Sequence, residues 1–224
     1  MKILILVLSC DDNGIYSKFF ESQKNTWDSI NVDTIETFYF FGNHDKYEIV
    51  ENGIYINLKE TTKKESDGSL SVTNSSLKTL KSFEMIQDMD FDYVFRTNAS
   101  SYVDKKLLMD FINNKPKTKY YSGFIGNHGK ITFASGSGFF LSKDLIKLLI
   151  ENKNIWDYSL IDDVSIASLL KEFGVSPENN PRYDVCNENI PLDYFHYRIK
   201  TRNRNDDCRL MELIHNKKNE LYNR

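Results

Sequence analysis

The chain has 224 residues, 40% of them hydrophobic and 13% aromatic, which suffices to bury one sizeable core and predicts a single domain over residues 1–224. Its formal charge of -3 provides no bulk basic field, which argues against general attraction to nucleic acid or anionic membrane, so no nucleic-acid partner is expected and any anion site must be local. Cys10, Cys186 and Cys208 are odd in number and lack metal-ligand spacing, which argues against a disulfide framework or zinc site and predicts reduced thiols in a cytoplasmic protein.

The first apolar run, ILILVL at residues 3–8, is too short to span a membrane and is unbroken by polar residues. It predicts a central parallel strand buried on both faces. VLSC at its end matches a lipoprotein cleavage box, but Cys10 falls too early to follow a normal signal sequence, so the strand reading is preferred. A polar loop, SCDDNG, follows. Residues 16–29 carry Phe19, Phe20, Gln23 and Trp27 at helical spacing, and TFYFFGN is a second buried run closed by Gly42, completing a β-α-β unit.

The stretch from Glu60 to Leu70 is charged, contains Asp67-Gly68 and predicts an exposed loop. Leu77, Leu80, Phe83, Ile86 and Met89 then recur at helical steps, with Thr73 or Asn74 placed to cap the helix. The strand DYVFR comes next. Asp104 is placed to cap KKLLMDFINN, after which YYSGFIG and ITFASGSGFFLS alternate as an antiparallel pair. Ser142 is positioned to cap KDLIKLLIENK, and Asp162 or Asp163 to cap VSIASLLKEF, which stops at Gly174. Strands alternating with helices early and an antiparallel portion late predict an α/β sheet, mostly parallel, with ligands at the carboxyl ends of its strands. Asn74-Ser75-Ser76 and Asn98-Ala99-Ser100 match the N-glycosylation acceptor pattern, which has meaning only in an exported chain.

Four ordered segments, NSSLKTLKSFEMI, FDYVFRTNASSYVD, ASGSGFFLSKDLIKLL and IDDVSIASLLKEFGV, resemble the GT-A glycosyltransferases of the β-1,3-galactosyltransferase and Fringe-like group. There the matching pieces are an N-L-T-L-K-T-L helix, a strand ending in K-T-D-D-D, a G-x-G-Y strand and an E-D-V helix start. QKNTW near residue 25 also resembles that group's I-R-x-T-W segment. The resemblance covers most of residues 3 to 175. It implies a GT-A (Rossmann-like) fold, a mixed, mostly parallel central sheet flanked by helices, with a nucleotide-sugar-binding half at about 1–105 and an acceptor half with C-terminal tail at about 106–224. The implied activity is inverting transfer of a sugar from a nucleotide-sugar donor, a UDP-sugar by resemblance, to a glycan or other hydroxyl acceptor. The alternative is a non-catalytic carbohydrate- or nucleotide-sugar-binding protein on a degenerate transferase scaffold.

The group's metal-binding acidic triplet falls here on Asn98, Ala99 and Ser100. A neutral amide and a hydroxyl hold a hard cation more weakly than carboxylates do, so no metal cofactor is expected to be required, although Mn or Mg remains open with Ser100 and His196 as ligands. Cationic side chains can neutralise a diphosphate instead. FHYRIKTRNR, residues 195–204, sets Arg198, Lys200, Arg202 and Arg204 at every second position, on one face if the segment is extended. A solvated basic strip balancing Asp206 and Asp207 is the competing reading.

By the resemblance Asp163 takes the place of the catalytic base, with Asp162 beside it. The competing reading makes both acids serve the helix start, together worth roughly 1–2 kcal/mol. Ser9, Asp11 and Asn13 follow the first strand, where this fold holds the nucleotide, and Lys78, Arg96, Asn98 and Ser100 are further donor-binding candidates. Gly136, Ser137 and Gly138 allow close backbone approach to a sugar or mark a bulge. Trp156 is placed either to stack on an acceptor sugar or in the core.

Overall fold

The computed structural model describes residues 1–10, 14–64 and 70–223. In chain order the elements are β1 (Ile3–Leu8), α1 (Ile15–Asn25), β2 (Ile35–Phe41), β3 (Glu48–Val50), β4 (Gly53–Tyr55), β5 (Thr62–Lys64), β6 (Leu70–Val72), α2 (Ser75–Ile86), β7 (Tyr93–Asn98) and β8 (Ser101–Val103). They continue as α3 (Lys105–Ile112), β9 (Tyr121–His128), β10 (Ile131–Ser142), α4 (Lys143–Glu151), α5 (Asp162–Glu172), β11 (Glu178–Asn179), β12 (Tyr183–Val185), β13 (His196–Ile199) and α6 (Arg204–Tyr222).

The main sheet has eight strands in the order β11-β9-β10-β7-β1-β2-β4-β3. Strands β7, β1, β2 and β4 run parallel, and β10 joins β7 antiparallel, as do β9 to β10 and β3 to β4. This is the mixed, mostly parallel α/β sheet that the strand–helix alternation predicts. The unbroken apolar run of β1 has a simple cause. Ile3, Ile5 and Val7 face one core together with Phe19, Tyr102 and Met211, while Leu4 and Leu6 face a second with Phe83, Ile146 and Leu170. A strand packed on both faces has no position left for a polar residue.

Among the described residues two small sheets accompany the main one. β12, β13 and β8 form one, and β5 pairs with β6 in the other. The second corrects the exposed-loop expectation for Glu60–Leu70: Glu60 is buried and residues 62–64 and 70–72 are paired strands, residues 65–69 lying outside the described part. Sequence patterning also passed over the 19-residue helix α6, whose polar surface mutes its apolar period, and the two- to four-residue strands β11 to β13, too short to show a period.

Helix starts differ from expectation in three places. Asp104 does cap α3, accepting from the amides of Lys106 and Leu107 at 3.1 Å each. Asn74 instead takes a left-handed conformation (φ 57°) and turns its amide to the Lys59 carbonyl at 2.8 Å. Ser142 accepts from the Tyr120 amide at 2.9 Å and donates to Asp144, making no cap bond of its own. Ile161, not an aspartate, occupies the N-cap position of α5. That helix stops as expected at Gly174, whose φ of +71° is open to glycine at little cost.

Candidate functional site

The carboxyl ends of β1 and β7 open into a cavity of about 360 Å³. Its lining comes mainly from the turn at 98–100, residues 135–137 of β10, the start of α5 and the chain from β13 into α6, with Tyr16 and Phe19 of α1 and the residues around the start of α2 closing the remaining side. Crevices at the carboxyl ends of parallel strands are where open α/β sheets bind ligands.

The turn is held from below by α1 and the residues after it. Gln23 donates through Nε2 to the carbonyls of Asn98 (3.2 Å) and Ser101 (3.0 Å), and the Trp27 indole donates to the Ser101 carbonyl at 3.0 Å. The QKNTW segment is thus a clamp on the site. Thr97 Oγ1 reaches across to the Ser137 carbonyl at 2.6 Å, and Ser101 Oγ to the same atom at 3.2 Å. Between Ala134 and Phe139 the β9–β10 register shifts, so residues 135–138 bulge away from β9. The glycine-rich stretch is therefore a bulge, and that bulge aims Gly136 and Ser137 into the cavity.

Asp162 and Asp163, both buried, reach the cavity from the first turn of α5. The Asp162 carboxylate accepts from Thr79 Oγ1 at 2.9 Å and forms an ion pair with Arg96. Asp163 accepts from the Gly136 amide at 2.6 Å and from its neighbour Val164 at 2.9 Å. Burial, reinforced by the charge of Asp162, raises the Asp163 carboxyl to about 6. A carboxylate poised near neutrality in a cleft is equipped to take a proton.

Facing this pair, Arg198, Lys200 and Arg204 line the same cavity, and Arg202 does not. Of the basic segment residues 196–199 form a strand, and α6 begins at Arg204. Arg198 pairs with Ser101 across the β13–β8 ladder, beside the turn, and reaches Asp184 at 3.4 Å. The Arg204 guanidinium lies 5.0 Å from the centre of the Phe19 ring and pairs with Asp207 at 2.5 Å.

Asn98, Ser100, Gly136 and Ser137 also line the cavity. The remaining candidates among the described residues do not face the cavity as free polar groups. Arg96 lines the wall but is 1% exposed, its guanidinium bonded to Asp162, to Asn98 Oδ1 at 2.8 Å and to the Gly136 carbonyl. Lys78 is fully buried, with its ammonium on Glu60 and on the Ser9 carbonyl at 2.6 Å. Trp156 is core, and its indole donates to Ser76 Oγ at 2.8 Å. Gly138 packs against the buried His196 ring and not against the cavity. Ser9 borders a neighbouring cavity of about 380 Å³, walled by Phe20, Phe41 and Tyr55, which shares Tyr16 with the first. Asp11 and Asn13 lie outside the described residues.

Sequence reading missed Tyr16, Ser135 and Ile161 in the lining, and Arg182 behind it. Arg182 donates to Ser137 Oγ at 2.7 Å and Ser135 Oγ at 3.2 Å while its guanidinium covers Phe124 at 3.9 Å. Ser135 adjoins the glycines and Ile161 the acid pair, so proximity offered a signal for those two. Arg182 follows a proline in an irregular stretch and carried none.

The residues that the sequence resemblance aligns with a metal-binding acidic triplet do not fit a divalent cation. Ala99 is apolar and buried, Asn98 is taken by Arg96, and Ser100 offers one hydroxyl. His196 is buried against Ser101 Oγ, and burial with Arg182 and Arg198 nearby pushes its imidazole down to about 3. Among the described residues, no three His, Cys, Asp or Glu side chains converge as a metal site would need. Nor, among them, is any helix long and apolar enough to cross a membrane.

No protein-family model and no curated protein sequence matches the chain. Solved structures do. The 4-diphosphocytidyl-2C-methyl-D-erythritol synthase of Anaerococcus prevotii DSM 20548 superposes with a TM-score of 0.53 at 12% identity, covering 94% of this chain and 95% of that one. The glycosyltransferase GlyE of Streptococcus pneumoniae TIGR4 superposes with a TM-score of 0.50 at 11% identity, covering 97% of this chain and 63% of that one. At such identities the likeness is one of fold, a Rossmann-like sheet shared with both enzymes.

Proposed function

We propose that the chain is an inverting glycosyltransferase that takes its sugar from a nucleotide-sugar donor, a UDP-sugar being favoured by the sequence resemblance, and passes it to a hydroxyl of a glycan or other glycoside. One observation carries this reading: a buried carboxylate at about 6, Asp163, shares a cavity with three cations, Arg198, Lys200 and Arg204. The cations hold the diphosphate, and the aromatic cavity beside Tyr16 takes the base. Asp163 removes the proton of the acceptor hydroxyl as its oxygen bonds to the anomeric carbon. The bond from that carbon to the diphosphate oxygen breaks on the opposite face, and the departing electron pair is neutralised by the arginines and lysine. A diphosphate leaving group needs no strong general acid, so one carboxylate is enough.

The neighbour whose name gives a diphosphocytidyl product supports a second reading, transfer of a nucleotide. A phosphate nucleophile is already an anion and needs no base. Asp163 therefore favours a neutral hydroxyl acceptor, and sugar transfer over nucleotide transfer.

Calorimetry with a panel of nucleotide sugars, in EDTA and with added manganese, tests the proposal together with donor consumption by the native chain. Binding in EDTA and slow donor hydrolysis are expected. Binding that disappears in EDTA and returns with manganese overturns the metal-free account, and binding without any consumption leaves a non-catalytic nucleotide-sugar-binding protein.

A further inference from the structure

Arg96 is the most deeply buried charge at the cavity, 1% exposed. Its guanidinium meets three acceptors: the Asp162 carboxylate, Asn98 Oδ1 at 2.8 Å, and the Gly136 carbonyl. Gly136 then turns its amide to Asp163 at 2.6 Å. One peptide unit apart, the carbonyl and amide of Gly136 thus link the arginine to the aspartate. The glycine leaves no slack, since a side-chain methyl there would lie 3.0 Å from Asp163 Oδ2 and 3.1 Å from Arg96 Nη1.

We propose that Arg96 is a positioning residue, a fixed cation that holds Asp162 and the residue 98 turn and, through the Gly136 backbone, sets the place of Asp163. The inference rests on the reading of Asp163 as the base for its catalytic meaning, while its geometry stands without it. The guanidinium matters for its shape as well as its charge. A planar fork satisfies a carboxylate, an amide oxygen and a carbonyl at once, whereas an ammonium is a point charge that cannot span all three in one plane. Arg96 also divides the labour of the two acids. Asp162 is held in an ion pair, whereas Asp163, which among the described residues makes only backbone amide bonds, is left for proton transfer.

Among the described residues, the charged groups around Asp163 are Asp162 on its own helix, Arg96 on β7, and Arg198, Lys200 and Arg204 across the cavity, with the Tyr121 hydroxyl buried on the β9 side. Burial and Asp162 push its carboxyl up, and the Gly136 amide and Arg96 pull it down. Losing Arg96 removes a pull and misplaces the amide, so both consequences act in the same direction.

The experiment follows the Asp163 carboxyl by carbon NMR titration in ligand-free native protein, Arg96→Met and Arg96→Lys, with Asp163→Asn identifying the signal. The Asp163 midpoint is expected to rise by about one pH unit in Arg96→Met, and hydrogen exchange at the Gly136 amide to quicken in both variants. If Arg96→Met does not fold, Arg96→Lys keeps the charge and reads the geometry alone. A midpoint and a Gly136 exchange rate unchanged in a folded variant overturn the proposal. Where donor turnover is measurable, Arg96→Lys should lower kcat by about 10- to 100-fold with little change in donor KM, the signature of a misplaced base. The NMR arm needs no substrate, so its outcome is separate from whether the chain proves to be a transferase.

Discussion

Gly138 on β10 lies against the imidazole of His196 on β13, so closely that a methyl group at residue 138 would stand 2.7 Å from Nδ1 and 2.8 Å from Nε2. The ring has nowhere to retreat, being buried and set edge-on to Phe95 at 5.4 Å. Gly138→Ala should therefore destabilise the fold by about 1–3 kcal/mol, as overpacking of a tight core does. A urea midpoint equal to the native one would show that β13 can shift. Arg198 sits two residues along the same strand, so donor affinity should fall with it.

Asp163→Asn keeps the shape of the side chain and removes its basicity. Transfer should drop by about 100- to 10,000-fold, the range for loss of a positioned general base, while calorimetry finds donor affinity close to native. Donor consumption equal in variant and native chains would remove Asp163 from the mechanism.

The pH dependence follows from the same carboxyl. On the proposed mechanism activity needs Asp163 ionised, so kcat/KM, which reports the free enzyme, should fall on the acid side with a midpoint near 6. Stability runs the other way. The folded chain holds this proton more tightly than the unfolded chain, whose Asp titrates at an ordinary 3.8. Asp163 thus contributes most below that value, and its contribution is lost as pH rises towards 6 and beyond. Asp163→Asn should accordingly be more stable than native by about 1–3 kcal/mol at pH 8, with the gap closing at pH 4. Urea titrations at the two pH values measure it, and a gap independent of pH would contradict the raised carboxyl.

The central sheet was legible because β1 and β2 are long apolar runs, β7 opens on the apolar Tyr93–Phe95, and helical spacing separates them; local pattern alone reveals such elements. Much of the cavity lining was also legible, since Asn98, Gly136, Asp162 and Asp163 lie at the ends of those strong elements. What escaped depends on tertiary contact. Lys78 resembles an exposed helix lysine until Glu60, distant in sequence, folds under it. Trp156 beside the acid pair points inward because Ser76 receives its indole. Arg182 acquires its place only when the chain just before β12 meets Ser135 and Ser137 of β10, and no local spacing announces that meeting.

The basic residues of the tail can be separated by where they point. Arg198→Ala and Lys200→Ala should each weaken nucleoside diphosphate binding by about 10- to 100-fold, the value of a charge-assisted hydrogen bond. Arg202→Ala should leave it unchanged, because Arg202 does not line the cavity. Raising the salt concentration should shrink the first two effects. Equal losses for all three variants would make the segment a general electrostatic lure and not a diphosphate site.

Lys78 allows a final separation of structure from binding. Its ammonium and the Glu60 carboxylate are wholly withdrawn from solvent, Glu60 accepts from the Gly42 amide at 2.7 Å, and Lys78 also donates to the Ser9 carbonyl at 2.6 Å. Burial pulls the ammonium pKa down while Glu60 holds it up. Lys78→Met would strand the carboxylate in the core, at a cost of about 3–5 kcal/mol. Adding Glu60→Gln should recover much of that, because the unpaired charge, not the lost attraction, dominates the penalty. If Lys78 gripped the donor diphosphate, as its place in the motif suggested, the methionine variant would lose affinity while its urea midpoint held. With the pair sealed beneath β1 and β2, the midpoint should fall and the folded fraction should bind donor as the native chain does.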